Sequence, residues 1–351
     1  MIVPDRSDTT RHRVLDGDCS EVLAELPECS VDAIVTDPPY AIGRFGQKDE
    51  KWDGRAVREK VAQGGPDRLG IGKAYELWCR EWSADCFRVL KPGAHMVVFG
   101  SPRTSHRLAV GIEDVGLEIR DTLIWLRGDG TPKSRRLPGD RATTLKPAHE
   151  PILLARRPPV DTVKATIDQF GTGALEVGAC RTDWRYPANV VLSHSAGCSD
   201  QGCLDGCAVS TLDSEARNGP GGVPASRFFY CAKVTRRERD AGCEYMPARR
   251  LDLPSSVESS HTEKRKARNP HPTVKPIELM RWLIRLACPP DALVLDPFCG
   301  SGSTGAAAAL EGRRFLGIEL DREFAEIAAA RIEHWSPDDS KVDRAPLGIP
   351  A

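Results

Sequence analysis

Apolar runs and amphipathic stretches alternate along the first part of this chain, lapse, and then resume near its end. His12–Leu15 reads as a strand that leads into Asp16-Gly17-Asp18-Cys19-Ser20, Glu21–Leu26 as a short helix and Val31–Thr36 as a buried strand. Leu77, Trp78, Trp82, Phe87 and Leu90 recur at helical spacing over Tyr75–Leu90, and Lys91-Pro92-Gly93 predicts a turn into a strand at Ala94–Gly100. A helix over Arg103–Val115, a strand over Glu118–Leu126 and a short strand at Pro151–Ala155 follow. The alternation resumes with a helix at Pro276–Ala287, a strand at Ala292–Leu295, a helix at Thr304–Glu311, a strand at Arg314–Ile318 and a helix at Arg322–Ile332. This order predicts an α/β fold with a largely parallel sheet.

The interruptions differ from one another. Residues 41–72 are glycine-rich and charged with no period, which predicts a mobile loop. Residues 159–268 are rich in Gly, Pro, Ser, Arg and Cys and read as an inserted region or smaller domain. The chain therefore divides into 12–157, the insertion 159–268, a returning part 269–335 and a disordered tail 336–351. No apolar run approaches the roughly 20 residues that a membrane span needs. The first residues lack a signal-peptide core, so we expect a cytoplasmic protein. Net charge is −1 over 351 residues, which points to no polyanionic partner. Locally, Lys133, Arg135, Arg136, Arg141 and Lys146, then Arg236, Arg237, Arg239, Arg249 and Arg250, then Lys264, Arg265, Lys266 and Arg268 form basic runs. These are either solvated loops or a phosphate-binding face.

Two motifs carry chemistry. Late in the chain, Asp296-Pro297-Phe298-Cys299-Gly300-Ser301-Gly302 joins a buried strand to a helix of small residues, and Glu319 ends the next strand. Glycines allow close backbone approach to a ligand, and a carboxylate at the following strand end can accept both hydroxyls of a ribose. The order Gly300-x-Gly302-x-x-Gly305 would permit a dinucleotide, and a plain strand–turn–helix would show it too. Asp296, however, would repel a pyrophosphate and suits an ammonium group, which favours a nucleoside ligand carrying an amino acid, such as S-adenosylmethionine.

A methyl donor raises the question of an acceptor. Asp37-Pro38-Pro39-Tyr40 closes the buried strand Val31–Thr36. The exocyclic amine of adenine or cytosine is a poor nucleophile because its lone pair is delocalised into the ring. Two acceptors aimed at its hydrogens, the Asp37 carboxylate and the Pro38 carbonyl, would turn that pair toward a methyl group. The prolines stiffen the carbonyl, and Tyr40 offers a face on which a base stacks, worth about 1–3 kcal/mol. The bland alternative is a Pro-Pro turn that ends a strand.

Together the two motifs resemble the amino-methylating DNA methyltransferases, which act on adenine N6 or cytosine N4, in the permuted order called the β group. The resemblance covers residues 12–157 and 269–332 and implies a Rossmann-like, S-adenosylmethionine-dependent sheet with helices on both faces. It also implies that residues 159–268 form an irregular target-recognition region. It would place Asp37, Pro38, Pro39 and Tyr40 around a base flipped out of duplex DNA. Asp296, Pro297, Phe298, Gly300, Ser301 and Gly302 would surround the methionine part, Glu319 the ribose, and Asp18 and Cys19 the adenine. Thr273 and Lys275, in His271-Pro272-Thr273-Val274-Lys275-Pro276, would close the methionine pocket. Lys146-Pro147-Ala148-His149-Glu150-Pro151 resembles a segment of phage-like and prophage-like members. An aspartate at the head of the tetrad is commoner among the adenine enzymes, so adenine N6 is the leading reading and cytosine N4 the alternative. A catalytically silent DNA-binding protein of the same fold is the alternative of another class. The partner the resemblance implies is duplex DNA and not a membrane, with a homodimer as a candidate assembly.

Twelve cysteines in a chain expected to be reduced argue against a disulfide framework. His194-x3-Cys198-x4-Cys203-x3-Cys207 offers four soft ligands in a Gly-rich, polar stretch and is a candidate structural zinc site. The alternative is unrelated cysteines beside a surface histidine. A deaminase-type zinc would need a His-x-Glu, and none accompanies these cysteines.

Overall fold

A computed structural model describes residues 11–41, 70–127, 136–139, 141–182, 184–195, 198, 202–217, 224–232, 237–250, 266–337 and 342–346. Most of the loop expected at 41–72, and Lys133, Arg135, Arg236, Lys264 and Arg265 of the basic runs, lie outside these residues.

Ten strands form one sheet. In chain order they are β1 (His12–Asp16), β2 (Val31–Thr36), β3 (Leu90–Phe99), β4 (Glu118–Leu126), β5 (His149–Arg156), β6 (Val190–Ser193), β7 (Tyr230–Ala232), β8 (Leu293–Asp296), β9 (Arg314–Glu319) and β10 (Val342–Pro346). Their spatial order is β10-β1-β9-β8-β2-β3-β5-β4-β6-β7. Only β5 runs against its neighbours, pairing antiparallel with β3 and β4. The late strands β8 and β9 insert between β1 and β2, so the two ends of the sequence share the centre of the sheet.

Alternation along the strands explains the two core layers. Ala33, Val35, Val97, Phe99 and Val294 face one side, where they meet α7 (Ile277–Ala287), α8 (Ser303–Leu310) and α9 (Arg322–Trp335). Ile34, Met96, Val98, Leu293 and Leu295 face the other, against α1 (Cys19–Glu25), α2 (Gly70–Val89) and α3 (Ser105–Glu113). A sheet covered on both faces needs apolar residues at successive positions, and β2 is buried along its whole length.

Three expectations change. The turn at Lys91-Pro92-Gly93 is a bulge inside β3: Val31 pairs with Leu90 and Ala33 with His95, so the residues between Leu90 and His95 face Asp32 alone. Gly93 makes this feasible at φ +77°. Residues 159–268 are less irregular than their composition suggests. They supply α4 (Val163–Phe170), α5 (Ala208–Arg217) and the short α6 (Arg237–Asp240), and β6 and β7 extend the main sheet beyond β4. The tail, expected to be disordered, contributes β10, parallel to β1. Among the described residues, no helix is long and apolar enough to cross a membrane.

Candidate active site

Both motifs leave the carboxyl ends of adjacent strands. Ala33 and Ile34 of β2 pair with Val294 and Leu295 of β8, so Asp37-Pro38-Pro39-Tyr40 and the glycine loop start side by side. In open α/β sheets this edge is where ligands bind. The two strands are pinned there. Thr36 Oγ1 donates to Asp296 Oδ1 at 2.6 Å, Thr304 Oγ1 to Oδ2 at 2.5 Å, and the Phe298 N–H to Oδ1 at 3.1 Å. Burial raises the Asp296 pKa to about 6 against the pull of these donors.

The glycine loop needs its glycines. Gly300 and Gly302 have φ of +53° and +78°, the left-handed region. A Cβ at Gly302 would lie 2.8 Å from Ala328 Cα, and one at Gly300 would lie 2.8 Å from His271 Nε2. Glu319 closes the loop's other side, accepting the Gly300 N–H on Oε2 (2.8 Å) and the Asp321 N–H on Oε1 (2.9 Å). Its backbone carbonyl accepts the Gly17 N–H at 2.9 Å, which brings Asp18 and Cys19 to the same edge. Asp18 caps α1 by accepting the Ser20 N–H at 2.9 Å. Pro297 is buried, and the Phe298 ring packs 5.5 Å from Trp78 and edge-on, at 5.2 Å, to Trp82. Ser301 is buried against Arg331, which donates to its carbonyl at 2.5 Å and its hydroxyl at 3.2 Å. Burial lowers the Arg331 pKa to about 10.

At the tetrad, Asp37 is held from both sides. Tyr40 donates its phenolic proton to Oδ1 at 2.5 Å, and the Lys275 ammonium donates to Oδ2. Thr104 Oγ1 donates to the Tyr40 carbonyl at 2.9 Å and fixes the backbone after Pro38 and Pro39. Glu150 completes the cluster. Its Oε2 lies 3.3 Å from the Tyr40 hydroxyl and 3.6 Å from Lys275 Nζ, and Arg127 donates to its Oε1. Lys275 also sits 5.6 Å from the centre of the Tyr40 ring and 4.9 Å from that of Phe99. The Asp37 pKa is raised by burial and by Glu150, with Lys275 opposing. Burial would raise Glu150 as well, but Lys275 and Arg127 outweigh it and the net shift is downward. Tyr40 stays a neutral phenol, its pKa pushed well up by burial and by both carboxylates.

Lys275 therefore reaches the tetrad aspartate, whereas the resemblance puts it at the methionine pocket. Thr273 lies on an exposed turn, its N–H donating to His271 Nδ1 at 3.4 Å. Sequence reasoning missed Thr36, Arg127 and Glu150. Glu150 lay in a quoted motif, but only the antiparallel return of β5 beside β3 carries it to Tyr40.

His194, Cys198, Cys203 and Cys207 converge as the spacing suggested, in a cluster of their own that follows β6. Several of the basic residues read as phosphate candidates make contacts within the chain. Arg239 donates to the Asn269 and His271 carbonyls, Arg249 pairs with Glu323 at 2.6 Å, and Arg268 donates to the Met246 carbonyl.

The N6/N4 methylase family, described as DNA methylase, matches residues 31–330. The type II methyltransferase M.HinfI of Haemophilus influenzae is 23% identical over 96% of this chain and 72% of its own length. The type II methyltransferase M.HindIII of the same species is 24% identical over 91% of this chain and 94% of its own length. The solved PvuII DNA methyltransferase, described as cytosine-N4-specific, superposes with a TM-score of 0.53 at 18% identity, covering 92% of this chain and 86% of its own, which speaks to the fold alone.

Proposed function

We propose, from the premise that this chain belongs to the N6/N4 DNA methylase family, that it transfers a methyl group from S-adenosylmethionine to the exocyclic N6 of adenine in DNA. The observation that carries the reading is the Thr36–Asp296 bond of 2.6 Å, which fastens the tetrad strand to the glycine-loop strand. An acceptor gripped at Asp37 and a donor cradled at Gly300 and Gly302 then share one edge.

The residues fit the cofactor. Gly300 and Gly302 leave the backbone bare where a Cβ would fill the cradle. Glu319 is the carboxylate suited to ribose hydroxyls, and Asp18 and Cys19 border the adenine end. Asp296, buried and tied to two threonines, orders the loop and supplies negative charge for an amino-acid ammonium. When bound, S-adenosylmethionine supplies an electrophilic methyl group on a positively charged sulfur.

The protein's part is positioning. A flipped base stacks on Tyr40, at a cost in unstacking of a few kcal/mol that backbone contacts and stacking offset. The Asp37 carboxylate and Pro38 carbonyl accept the two amine hydrogens and aim the lone pair. Tyr40 and Lys275 keep Asp37 from turning away. Once the nitrogen carries the new carbon it becomes acidic, and Asp37, its basicity raised by burial and by Glu150, is placed to take the proton. The choice of adenine rests on the aspartate that heads the tetrad. Duplex DNA as substrate, with recognition by residues within 159–268, agrees with cytoplasmic action.

The test is nucleoside mass spectrometry of DNA incubated with the protein and isotopically labelled cofactor. Labelled N6-methyladenine supports the reading, labelled N4-methylcytosine replaces it with the alternative, and no labelled nucleoside leaves the silent DNA-binding protein.

A further inference from the structure

The cluster His194, Cys198, Cys203 and Cys207 plays no part in methyl transfer. Its side chains come from a loop that starts directly after β6 and ends at the first turn of α5. The four candidate ligand atoms all lie within 4.8 Å of one another. His194 Nδ1 is 3.3 Å from Cys203 Sγ and 3.6 Å from Cys207 Sγ. A tetrahedral zinc with bonds of about 2.3 Å to sulfur and 2.0–2.1 Å to nitrogen has sulfur–nitrogen edges of about 3.5 Å. The two histidine–sulfur edges match that tetrahedron, and the remaining separations, within 4.8 Å, need only a small contraction to reach its sulfur–sulfur edge of about 3.8 Å.

The surroundings are those of a metal-bound turn. The Leu204 N–H donates to Cys198 Sγ at 3.4 Å, a backbone contact that suits a thiolate. Gly206, at φ +75° with no atom within 4 Å of a built Cβ, allows the chain to reverse just before Cys207. The local apolar core is small: Leu192, Cys198, Cys207 and Val209, with Val190 and Phe229 packed against them. Two of its four buried members are cysteines, so burial alone holds little of this turn.

We propose that His194, Cys198, Cys203 and Cys207 bind one zinc ion that is structural. With three thiolates and one imidazole the tetrahedron is closed, leaving no position for water or substrate. The ion fastens the start of α5 to the end of β6. That strand end is tied to the sheet by Trp125 Nε1, which donates to Ser193 Oγ at 2.5 Å. Because β6 runs parallel to β4, the knot lies at the same edge of the sheet as the tetrad.

Metal content decides the matter independently of methyl transfer. The full chain, purified without a metal-affinity tag and passed through gel filtration, is expected to retain one zinc per chain by mass spectrometry. Replacement by cobalt is expected to give the intense visible absorption of tetrahedral thiolate coordination. Cys203→Ser should lose stoichiometric zinc, and Cys243→Ser, a buried cysteine outside the cluster, should keep it. Chelation should speed hydrogen exchange in the peptide spanning 190–217 and leave exchange in β8 and α8 unchanged. Substoichiometric metal in the wild-type chain, an octahedral cobalt spectrum, or a disulfide between two of the three cysteines in protein purified under reducing conditions would overturn the proposal.

Discussion

Thr36 and Asp296, 260 positions apart in the sequence, share a buried hydrogen bond of 2.6 Å. One ends the strand that carries the tetrad and the other ends the strand that carries the glycine loop. This contact makes a single site of two motifs that the chain order separates.

Asp37→Ala should abolish most transfer and spare cofactor binding. Loss of one preorganised electrostatic group at a reacting centre typically costs about 10²- to 10³-fold in rate. Single-turnover transfer should fall by at least the lower figure, with cofactor affinity by calorimetry unchanged. Near-full activity in the variant would remove Asp37 from the mechanism.

Glu150→Gln tests a positioning residue through pH. Asp37 must be ionised to accept from the amine, and Glu150 is among the groups that raise its pKa. Removing that charge lowers the Asp37 pKa, so the acid limb of the rate profile should move to lower pH. A purely structural role for Glu150 would reduce the rate without moving the limb.

Gly302→Ala should cripple the cradle. The position requires φ +78°, and the new Cβ would lie 2.8 Å from Ala328 Cα and 2.9 Å from its carbonyl oxygen, both backbone atoms of α9. The left-handed conformation alone costs about 1–2 kcal/mol. Cofactor affinity should fall along with the thermal midpoint, while Gly178→Ala, a site where a Cβ meets nothing within 4 Å, should change neither.

Stability should fall as the medium is acidified. Burial, with nearby cations, lowers the pKa of His12 and His95 to about 4 and of His271 to about 3. These rings stay neutral in the folded chain, while the unfolded chain takes up protons below about 6.5. Stability is full above that pH and is lost as pH drops through 6.5 toward 4, by up to about 1.4 kcal/mol per pH unit for each histidine. Asp296, raised to about 6, and Asp37, also raised, act the other way, because each protonates first in the folded state. Three histidines outweigh two carboxyls. Urea midpoints at pH 7 and pH 5 measure the slope, and His95→Gln should flatten it.

Much of the sheet was legible because its strands bury both faces. Val31–Thr36, apolar but for Asp32 and its last residue, and Leu293–Asp296, apolar up to its final aspartate, are buried throughout, and their ends mark the site. The bulge at Lys91–Gly93 was hidden because Pro and Gly signal a turn whether or not the strand continues past it. Strands β6 and β7 were hidden because Val190–Ser193 and Tyr230–Ala232 are too short to establish a period. At the site, residue type revealed Asp37, Tyr40 and the glycine loop. Glu150 and Arg127 could not be read in the same way. Their role follows from the pairing of Trp125 with Glu150 across β4 and β5, a register that no local pattern fixes.

Labelled-methyl transfer to DNA by the purified wild-type chain and by Asp37→Ala, read by mass spectrometry of the nucleosides, tests the central claim most directly. The account predicts labelled N6-methyladenine with the wild type and about 10²-fold less, or lower, with the variant over the same time. Equal label from both proteins, or no label in any nucleoside from a wild-type chain that binds S-adenosylmethionine, would contradict it.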